Sequence, residues 1–159
     1  MTHDEIPDIA ERLALTLTEG GMQRMAARVL AVLLFTNAPS VTMGEVAEQL
    51  DVSVAAVSGA IKTLATVGLV ERVPAPGSRR EHFRLPDNAW AVLFSTQNRL
   101  VHTMEQAAAS GLAETVPGTP AHRRLASMRD FYAFLLRELP DLTERWQREQ
   151  AATSDTRSR

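Results

Sequence analysis

Cysteine is absent from the 159 residues, which excludes disulfide bonds, thiolate metal sites and thiol redox switches. The sequence also has no apolar run long enough to cross a bilayer. Its first residues, MTHDEIPDIAERL, are acidic, whereas a secretory signal begins with basic residues. We therefore expect a cytosolic protein that folds as one domain, or as one domain with an appended dimerisation element.

The common motifs for catalysis and nucleotide binding are missing as well. The sequence has no G-x-S-x-G elbow, no P-loop and no G-x-G-x-x-G loop. Its histidines are scattered, and no pair has the i, i+4 spacing of a helical metal site. They are His3, His82, His102 and His122. We therefore predict that the protein is not an enzyme and that it has no catalytic residue, no metal ion and no cofactor.

Positive charge is not in excess, since 17 lysines and arginines stand against 19 aspartates and glutamates, and Lys62 is the only lysine. The negative charge near the N-terminus is carried by Asp4, Glu5, Asp8, Glu11 and Glu19. The segment 71–84 is locally positive, because it contains four arginines and only two glutamates. Phosphate contacts need local positive charge. The distribution therefore allows nucleic-acid binding, with modest non-specific affinity and a clear dependence on salt.

The middle of the chain predicts two short helices joined by a tight turn. Thr42 and Glu45 have the spacing of a capping box, in which a hydroxyl and a carboxylate bond backbone N–H groups at a helix start. This helix ends near Leu50, and Asp51 supplies the turn because Asp tolerates the left-handed backbone conformation. The small side chain of Ala47 lets the two helices cross closely, which favours a helix-turn-helix.

The second of these helices is predicted from Ser53, a good N-cap, to Val67, where Gly68 offers a C-terminal stop. Its inward side is formed by Val57, Ala60, Ile61 and Leu64. Its outward positions are Ser53, Val54, Ala55, Ser58, Gly59 and Lys62. The helix therefore has one side for the core and one side that is free to contact a partner.

A β-hairpin, which we call the wing, is predicted directly after the second helix. Residues 69–73, LVERV, are mostly apolar and β-branched, and PAPG at 74–77 can continue neither a helix nor a strand. Residues 81–85, EHFRL, then alternate between apolar and polar side chains. Arg79 and Arg80 fall at the tip, so the predicted wing has two strands and a cationic tip.

A helix-turn-helix with such a wing suits duplex DNA. Serine hydroxyls, helix N-terminal amides and Lys62 can bond phosphate or base acceptors in a major groove about 12 Å wide, and Val54 and Ala55 can contact a thymine methyl. The arginines of the wing tip can enter the adjacent minor groove. His82 is either simply exposed or in contact with a phosphate. The predicted DNA-contacting residues are Thr42, Ser53, Val54, Ala55, Ser58, Lys62, Arg79, Arg80, His82 and Arg84.

The pattern LxVSxxxVSxxIxxLxxxGLVxRV at 50–73, followed by PGSRREHFRL, resembles the winged-helix regulators of the MarR type. The wing GSRREHFRL and the helix GMQRMAARVLAVLLF are most similar to the branch around GbsR, the repressor of glycine-betaine synthesis genes. The resemblance covers roughly Gly20 to Leu85. It implies a homodimeric, cytoplasmic, bacterial transcriptional regulator, often relieved by a small ligand. We therefore expect a repressor that binds a palindromic operator in double-stranded DNA.

Further helices are predicted on both sides of the winged unit. A helix over 4–18 has an apolar stripe made of Ile6, Ile9, Leu13 and Leu17. The helix Met22 to Phe35 is apolar on most sides and suits a central core position, with Arg24 and Arg28 solvated or ion-paired rather than bound to phosphate. Residues 88–108 carry two apolar stripes, one for the same chain and one for a second subunit.

The predicted fold is mainly α with a small β-hairpin wing: a winged helix-turn-helix flanked by N- and C-terminal dimerisation helices. It forms one unit over residues 1–150, with an N-terminal helix at 4–20, the winged core at 21–86 and C-terminal dimerisation helices at 87–150. Asp141 is expected to cap a last short helix. Residues 151–159 are polar, lack an apolar stripe and are predicted to be disordered.

Two questions stay open from the sequence. The aromatic and methionine side chains of the C-terminal half, among them Trp90, Phe94, Met128 and Tyr132, either line an effector pocket or form plain core. The winged unit either binds DNA or is a protein–protein interaction module that packs residues 54–56 against another protein. Arginines at the wing tip favour DNA, because a minor groove gains more from them than a protein interface does.

Overall fold

The structure, a computed structural model, describes residues 8–157. It is mainly helical with a small antiparallel sheet, as the sequence predicts. Its elements are α1 (Asp8–Glu19), α2 (Arg24–Phe35), β1 (Val41–Thr42), α3 (Met43–Leu50), α4 (Val54–Thr66), β2 (Glu71–Val73), β3 (His82–Arg84), α5 (Ala89–Glu114) and α6 (Pro120–Arg157). None of the described helices is long and apolar enough to span a membrane. The chain divides into two compact units, Met1–Leu93 and Phe94–Arg159.

The core of the first unit is built around α2. Val29, Leu30 and Val32 on this helix are almost completely buried, and α2 packs against both α1 and α4. The buried residues of α4 are Val57, Ala60, Ile61 and Leu64, the inward side that the sequence predicts. Burying one such Val or Leu side chain contributes about 1.5–3 kcal/mol. This cluster therefore holds α4 in place and leaves its other side exposed.

Helix α1 contacts α2 mainly through alanines, and Leu17 of the predicted stripe packs against them. The buried contact residues are Ala10 and Ala14 on α1 and Ala27 and Ala31 on α2. Ile9, by contrast, is 52% exposed. The prediction was wrong at Ile9 because a search for large apolar side chains overlooks alanines, whose small size lets two helices approach closely. The predicted Ile6 lies outside the described residues.

The helix-turn-helix forms as predicted. Thr42 Oγ1 accepts the N–H of Glu45 at 3.2 Å, and the Glu45 carboxylate accepts the N–H of Thr42 at 2.7 Å, which completes the capping box of α3. Asp51 has a left-handed φ of 53° at the turn. Ser53 then caps α4 by accepting the N–H of Ala56 at 3.2 Å. Each of these bonds joins residues that are close in sequence, so the turn is specified locally.

Gly68 ends α4 and is required there for two reasons. Its φ is +78°, and a Cβ on this residue would collide with the side chain of Val92 on α5. The N–H of Leu69 donates to the carbonyl of Leu64 at 2.9 Å, which closes the helix in a Schellman pattern. Glycine alone avoids both the strained backbone and the collision. The first turns of α5 are therefore docked onto the end of α4.

The wing belongs to a three-stranded antiparallel sheet with the order β1-β3-β2. In the middle strand, Phe83 lies opposite Val41 of β1 and opposite Arg72 of β2. The sequence predicts only the hairpin of β2 and β3, and it misses β1 because two residues are too few to show an alternating pattern. Phe83 is buried, so the wing is anchored to the core of the first unit.

The second unit consists of the remainder of α5 together with α6. Contacts between the two helices lie close to the loop that joins them: Leu125 packs beside Gly111, and Thr115 Oγ1 lies 3.2 Å from His122 Nδ1. Among the described residues of this unit, Ala108 alone is buried. The second unit therefore has almost no core of its own.

Helix α6 is one continuous helix of 38 residues that contains Pro140. The sequence predicts a separate last helix capped by Asp141, because Asp suits an N-cap, and a disordered tail, because residues 151–159 are polar and lack an apolar stripe. Here the helix continues on both sides of the proline, and the Thr143 hydroxyl donates to the carbonyl of Leu139 at 3.1 Å. The predicted break was wrong, and residues 151–157 are helical.

Candidate nucleic-acid interface

Helix α4 presents an exposed face of small side chains and one lysine. Ala55, Gly59 and Lys62 recur at helical spacing opposite the buried residues of the helix, and all three are exposed. A Cβ added at Gly59 would meet no atom within 4 Å. Because no bulky side chain projects here, the helix backbone can approach a partner closely. Thr63 and Thr66 are also exposed on this helix, and neither is among the predicted DNA-contacting residues.

The N-terminus of α4 is exposed and carries hydrogen-bond donors. Ser53 and Val54 are exposed, and Ser58 is half-buried. The Ser53 oxygen accepts the N–H of Ala56, but its hydroxyl hydrogen stays free to donate. First-turn amides and the helix dipole favour an anionic group such as a phosphate at this end. The structure therefore brings together on one side of α4 the predicted residues Val54, Ala55, Ser58 and Lys62.

Thr42 lies apart from this surface and has a different role. It is 5% exposed, and its hydroxyl is occupied in the capping box with Glu45. The hydrogen bond from the Thr42 N–H is the main cause that lowers the pKa of the Glu45 carboxyl, and the nearby His82 and Arg80 act in the same direction. This corrects the predicted role of Thr42, because a buried hydroxyl in a helix cap cannot reach a duplex.

The tip of the wing turns sharply and leaves two arginines free. Gly77 has a φ of +85°, and the N–H of Ser78 donates to the carbonyl of Ala75 at 3.0 Å, which defines a tight turn. Arg79 and Arg80 follow directly and are exposed. Within residues 8–157 neither guanidinium group makes an ion pair. Both charges are therefore available to an external anion.

The other two arginines of the wing are paired with carboxylates. Arg72 Nη2 lies 2.7 Å from Glu81 Oε1, and Arg84 Nε lies 2.6 Å from Glu71 Oε1. The hydrogen bond from Arg84 to Glu71 also raises the pKa of the arginine. The opposite charges within each pair cancel, so the net positive charge of the wing is concentrated at its tip. For the predicted contact Arg84, the neighbouring carboxylate reduces the attraction to phosphate.

His82 joins the wing tip to the body of the winged unit. Its Nδ1 lies 3.0 Å from Ser40 Oγ in the loop before β1, and its Nε2 lies 3.1 Å from Ser78 Oγ in the turn of the wing. The side chain is half-buried. The sequence predicts either simple exposure or a phosphate contact for this histidine. It does not indicate the bond to Ser40, because the two residues are 42 positions apart along the chain.

Arg28 is ion-paired, one of the two states that the sequence favours for it. Its Nη2 lies 3.2 Å from Glu11 Oε1 on α1 and donates to the carbonyl oxygen of Leu50 at 3.3 Å. One guanidinium group therefore connects α1 and α2 with the end of α3. Arg24 is exposed at the start of α2.

The predicted effector residues are divided between the two units. Trp90 belongs to the first unit and is 49% exposed, whereas Phe94, Met128 and Tyr132 belong to the second. A cleft of about 250 Å³ in the first unit has a different lining that includes Leu33, Pro39, Ser40, Phe83 and Asp87. In the part of the chain that the structure describes, no group of three acidic or histidine side chains is placed to hold a metal ion. The effector pocket stays a prediction.

The order of these elements, two helices across a tight turn followed by a hairpin with a cationic tip, defines a winged helix-turn-helix protein. A family model described as MarR family matches residues 20–81. A second model, described as MmpR5-like MarR family transcriptional regulator, matches residues 88–149. The two matches together cover most of the chain, which belongs to the MarR family of winged-helix transcriptional regulators.

Individual relatives agree with the family assignment. The chain is 28% identical over 143 residues to the HTH-type transcriptional regulator MmpR5 of Mycobacterium tuberculosis, a match that covers 89% of this chain and 87% of the relative. A crystal structure described as that of a transcriptional regulator has 28% sequence identity and a TM-score of 0.78, and the match covers 90% of this chain and 98% of that one. The GbsR-like branch is not confirmed, since the C-terminal match is to MmpR5-like regulators.

Proposed function

We propose that the protein binds double-stranded DNA sequence-specifically as a homodimer and represses transcription from a palindromic operator. One observation carries the proposal: the same winged unit combines a recognition helix of small exposed side chains around Lys62 with a wing whose unpaired charges are Arg79 and Arg80. A slim helix fits a major groove about 12 Å wide. Arginines at the wing tip are attracted by the negative potential of the adjacent minor groove.

The residues of α4 have separate roles in this proposal. Ser53, Ser58 and Lys62 donate hydrogen bonds to phosphate or base acceptors, while the methyl groups of Val54 and Ala55 contact thymine methyls. Such a helix makes few strong base contacts, because it carries no arginine, asparagine or glutamine. A share of the sequence preference therefore comes from the shape and flexibility of the DNA.

The exposed apolar surface of the second unit supports the homodimer. Four large side chains on one side of α6 are about half exposed, namely Phe131, Phe134, Leu142 and Trp146. A long helix with an apolar face needs a partner that covers it. In a two-fold symmetric dimer, a second copy supplies the same face. The two recognition helices then dock in successive major grooves about 34 Å apart, which accounts for a palindromic site.

Relief of repression by a small ligand is part of the same proposal. The aromatic and methionine side chains of the C-terminal half support it, because such groups form adaptable binding surfaces. Quaternary ammonium compounds are one class of candidate, since aromatic side chains bind them through cation–π contacts. A ligand that raises the melting temperature and also lowers the affinity for DNA would support this part.

Removal of both wing-tip arginines tests the central claim. We expect Arg79→Ala with Arg80→Ala to lose duplex binding at physiological salt while the protein stays dimeric. Binding is measured by fluorescence anisotropy, and the assembly state by analytical ultracentrifugation. The matched control is Arg12→Ala with Arg24→Ala, which removes the same charge from exposed positions on α1 and α2. If the wing variant binds DNA with unchanged affinity, the proposal that the wing tip contacts DNA is wrong.

A second set of measurements separates this function from the alternative of a protein interaction module. Lys62→Ala is expected to weaken binding to all sequences alike and to flatten the salt dependence by about one unit, as for a phosphate contact. Sequencing of genomic fragments retained by the protein is expected to return an inverted repeat. If the dimer binds no duplex even at low ionic strength, the result would instead support the alternative, in which residues 54–56 pack against another protein.

A further inference from the structure

We infer that His82 is a positioning residue for the wing tip, and that its imidazole sets the direction in which Arg79 and Arg80 leave the hairpin. The inference rests on the proposed function, since it concerns how the proposed DNA contacts are held before a duplex arrives. It assigns His82 a role other than the direct phosphate contact that the sequence allows.

The imidazole is fixed at its inner end. His82 is in β3, the middle strand, where its backbone lies opposite Thr42 of β1 and Val73 of β2. Its Nδ1 is 3.0 Å from the hydroxyl of Ser40, in the loop that leads into β1. Both the backbone and one ring nitrogen of His82 are therefore tied to the body of the winged unit.

The other ring nitrogen extends this support to the tip. Nε2 lies 3.1 Å from Ser78 Oγ, and the same oxygen accepts the backbone N–H of Arg80 at 3.1 Å. A continuous chain of hydrogen bonds thus leads from Ser40 through His82 and Ser78 to the backbone of Arg80. Residues 76–81 are otherwise exposed, so the tip has little packing of its own to order it.

This chain of hydrogen bonds, which we call the bridge, can form with either tautomer of the His82 ring. A neutral imidazole has one donor and one acceptor nitrogen, and each serine hydroxyl can take the complementary role. A phosphate contact through Nε2 would require this nitrogen to leave Ser78, and would release the tip at the moment of binding. A preordered tip loses less conformational freedom when the arginines meet DNA. The geometry therefore favours support of the arginines over direct contact.

A double-mutant cycle tests the inference. His82→Ala is made in the wild-type chain and in the chain carrying Arg79→Ala and Arg80→Ala. Each protein is titrated by fluorescence anisotropy onto a labelled mixed-sequence duplex of about 30 base pairs, long enough for two adjacent grooves. Low ionic strength is used so that binding by the protein without Arg79 and Arg80 stays measurable. In the wild-type background we expect affinity to fall about threefold to tenfold and the salt slope to flatten.

In the chain without Arg79 and Arg80, His82→Ala is expected to change neither the affinity nor the salt slope, because the side chains that His82 positions are gone. An equal loss in both backgrounds would overturn the inference in favour of a direct phosphate contact. No loss in the wild-type background would also overturn it. If the protein without Arg79 and Arg80 binds like the wild type, the proposed function itself is wrong. This result distinguishes a failure of the proposed function from a failure of the inference about His82.

Two further variants protect the test against a folding defect. Ser78→Ala changes an exposed side chain at the tip, leaves His82 and the core untouched, and is expected to reproduce the pattern of His82→Ala. His82→Gln keeps a side-chain nitrogen that can reach Ser78 and is expected to recover part of the affinity. The matched control is His102→Ala, at an exposed histidine on α5, which should bind like the wild type. Wild-type affinity for Ser78→Ala would count against the bridge.

Discussion

Arg28 on α2 donates a hydrogen bond from Nη2 to the carbonyl oxygen of Leu50, 3.3 Å away at the last residue of α3. The carbonyl groups of a last helical turn have no partner within their own helix, and a buried one needs a donor from elsewhere. The same guanidinium group is paired with Glu11, whose side chain is 42% exposed. We therefore expect the carbonyl bond to contribute more to stability than the ion pair does.

Replacing each partner separately tests this ranking. We expect Arg28→Met to lower the free energy of unfolding by about 1–3 kcal/mol, because the Leu50 carbonyl loses a charged donor. Glu11→Gln removes only the exposed ion pair and should cost less than about 1 kcal/mol. Urea unfolding at one fixed protein concentration measures both variants. An equal cost for the two would show that the ion pair is the main contribution.

Gly59→Ala is expected to move stability and DNA affinity in opposite directions. An exposed glycine inside a helix costs about 1 kcal/mol relative to alanine, and the new Cβ at this position meets no neighbour, so the melting temperature should rise. The added methyl group lies on the face proposed to enter the major groove, so duplex affinity should fall. Thermal melting and anisotropy measure the two quantities. A stabilised variant with wild-type affinity would show that the duplex does not approach Gly59.

Glu71→Gln is expected to tighten binding to DNA. The change releases Arg84 from its carboxylate and adds one positive charge to the wing, so affinity should rise and the salt dependence should steepen by up to about one unit. For the same reason Arg84→Ala should weaken binding less than Arg79→Ala does. Anisotropy titrations over a range of salt concentrations provide both comparisons. If the two alanine variants bind equally poorly, the paired arginine contacts the duplex as well.

The capping carboxylate of Glu45 predicts a pH dependence of stability. Hydrogen bonding to Thr42 lowers the pKa of Glu45 below its ordinary value of 4.5 in the folded protein. The resulting stabilisation is complete above pH 4.5 and is lost as the pH falls through the lowered value. Glu45→Gln keeps a hydrogen-bond acceptor but no longer titrates. The stability difference between wild type and this variant should therefore shrink below pH 4.5, as measured by denaturant unfolding at several pH values.

The parts of the fold that depend on neighbouring residues were predictable from the sequence. The Thr42 and Glu45 capping box, the Ser53 cap and the Gly68 stop each involve residues within a few positions of one another. Their geometry follows from the needs of a helix end and requires no knowledge of the rest of the fold. For this reason the sequence alone predicts the helix-turn-helix.

The features that the sequence did not reveal depend on contacts between distant residues. His82 meets Ser40 at a separation of 42 positions, and no spacing rule links the two. The ion pair between Arg84 and Glu71 is also hidden in the sequence, because it depends on the register of β2 and β3. Asp141 shows the reverse case, since a local capping pattern predicted a helix start there and α6 continues through this position.

With Ala108 as its only buried residue among those described, the C-terminal unit would obtain its order from association in the proposed homodimer. Binding that stabilises only the folded form makes the melting temperature rise with protein concentration. Dilution during growth would then reduce the folded fraction along with operator occupancy. A cell that makes too few copies would have unfolded chains exposed to proteolysis, and the abundance of this regulator would set a threshold for its own survival.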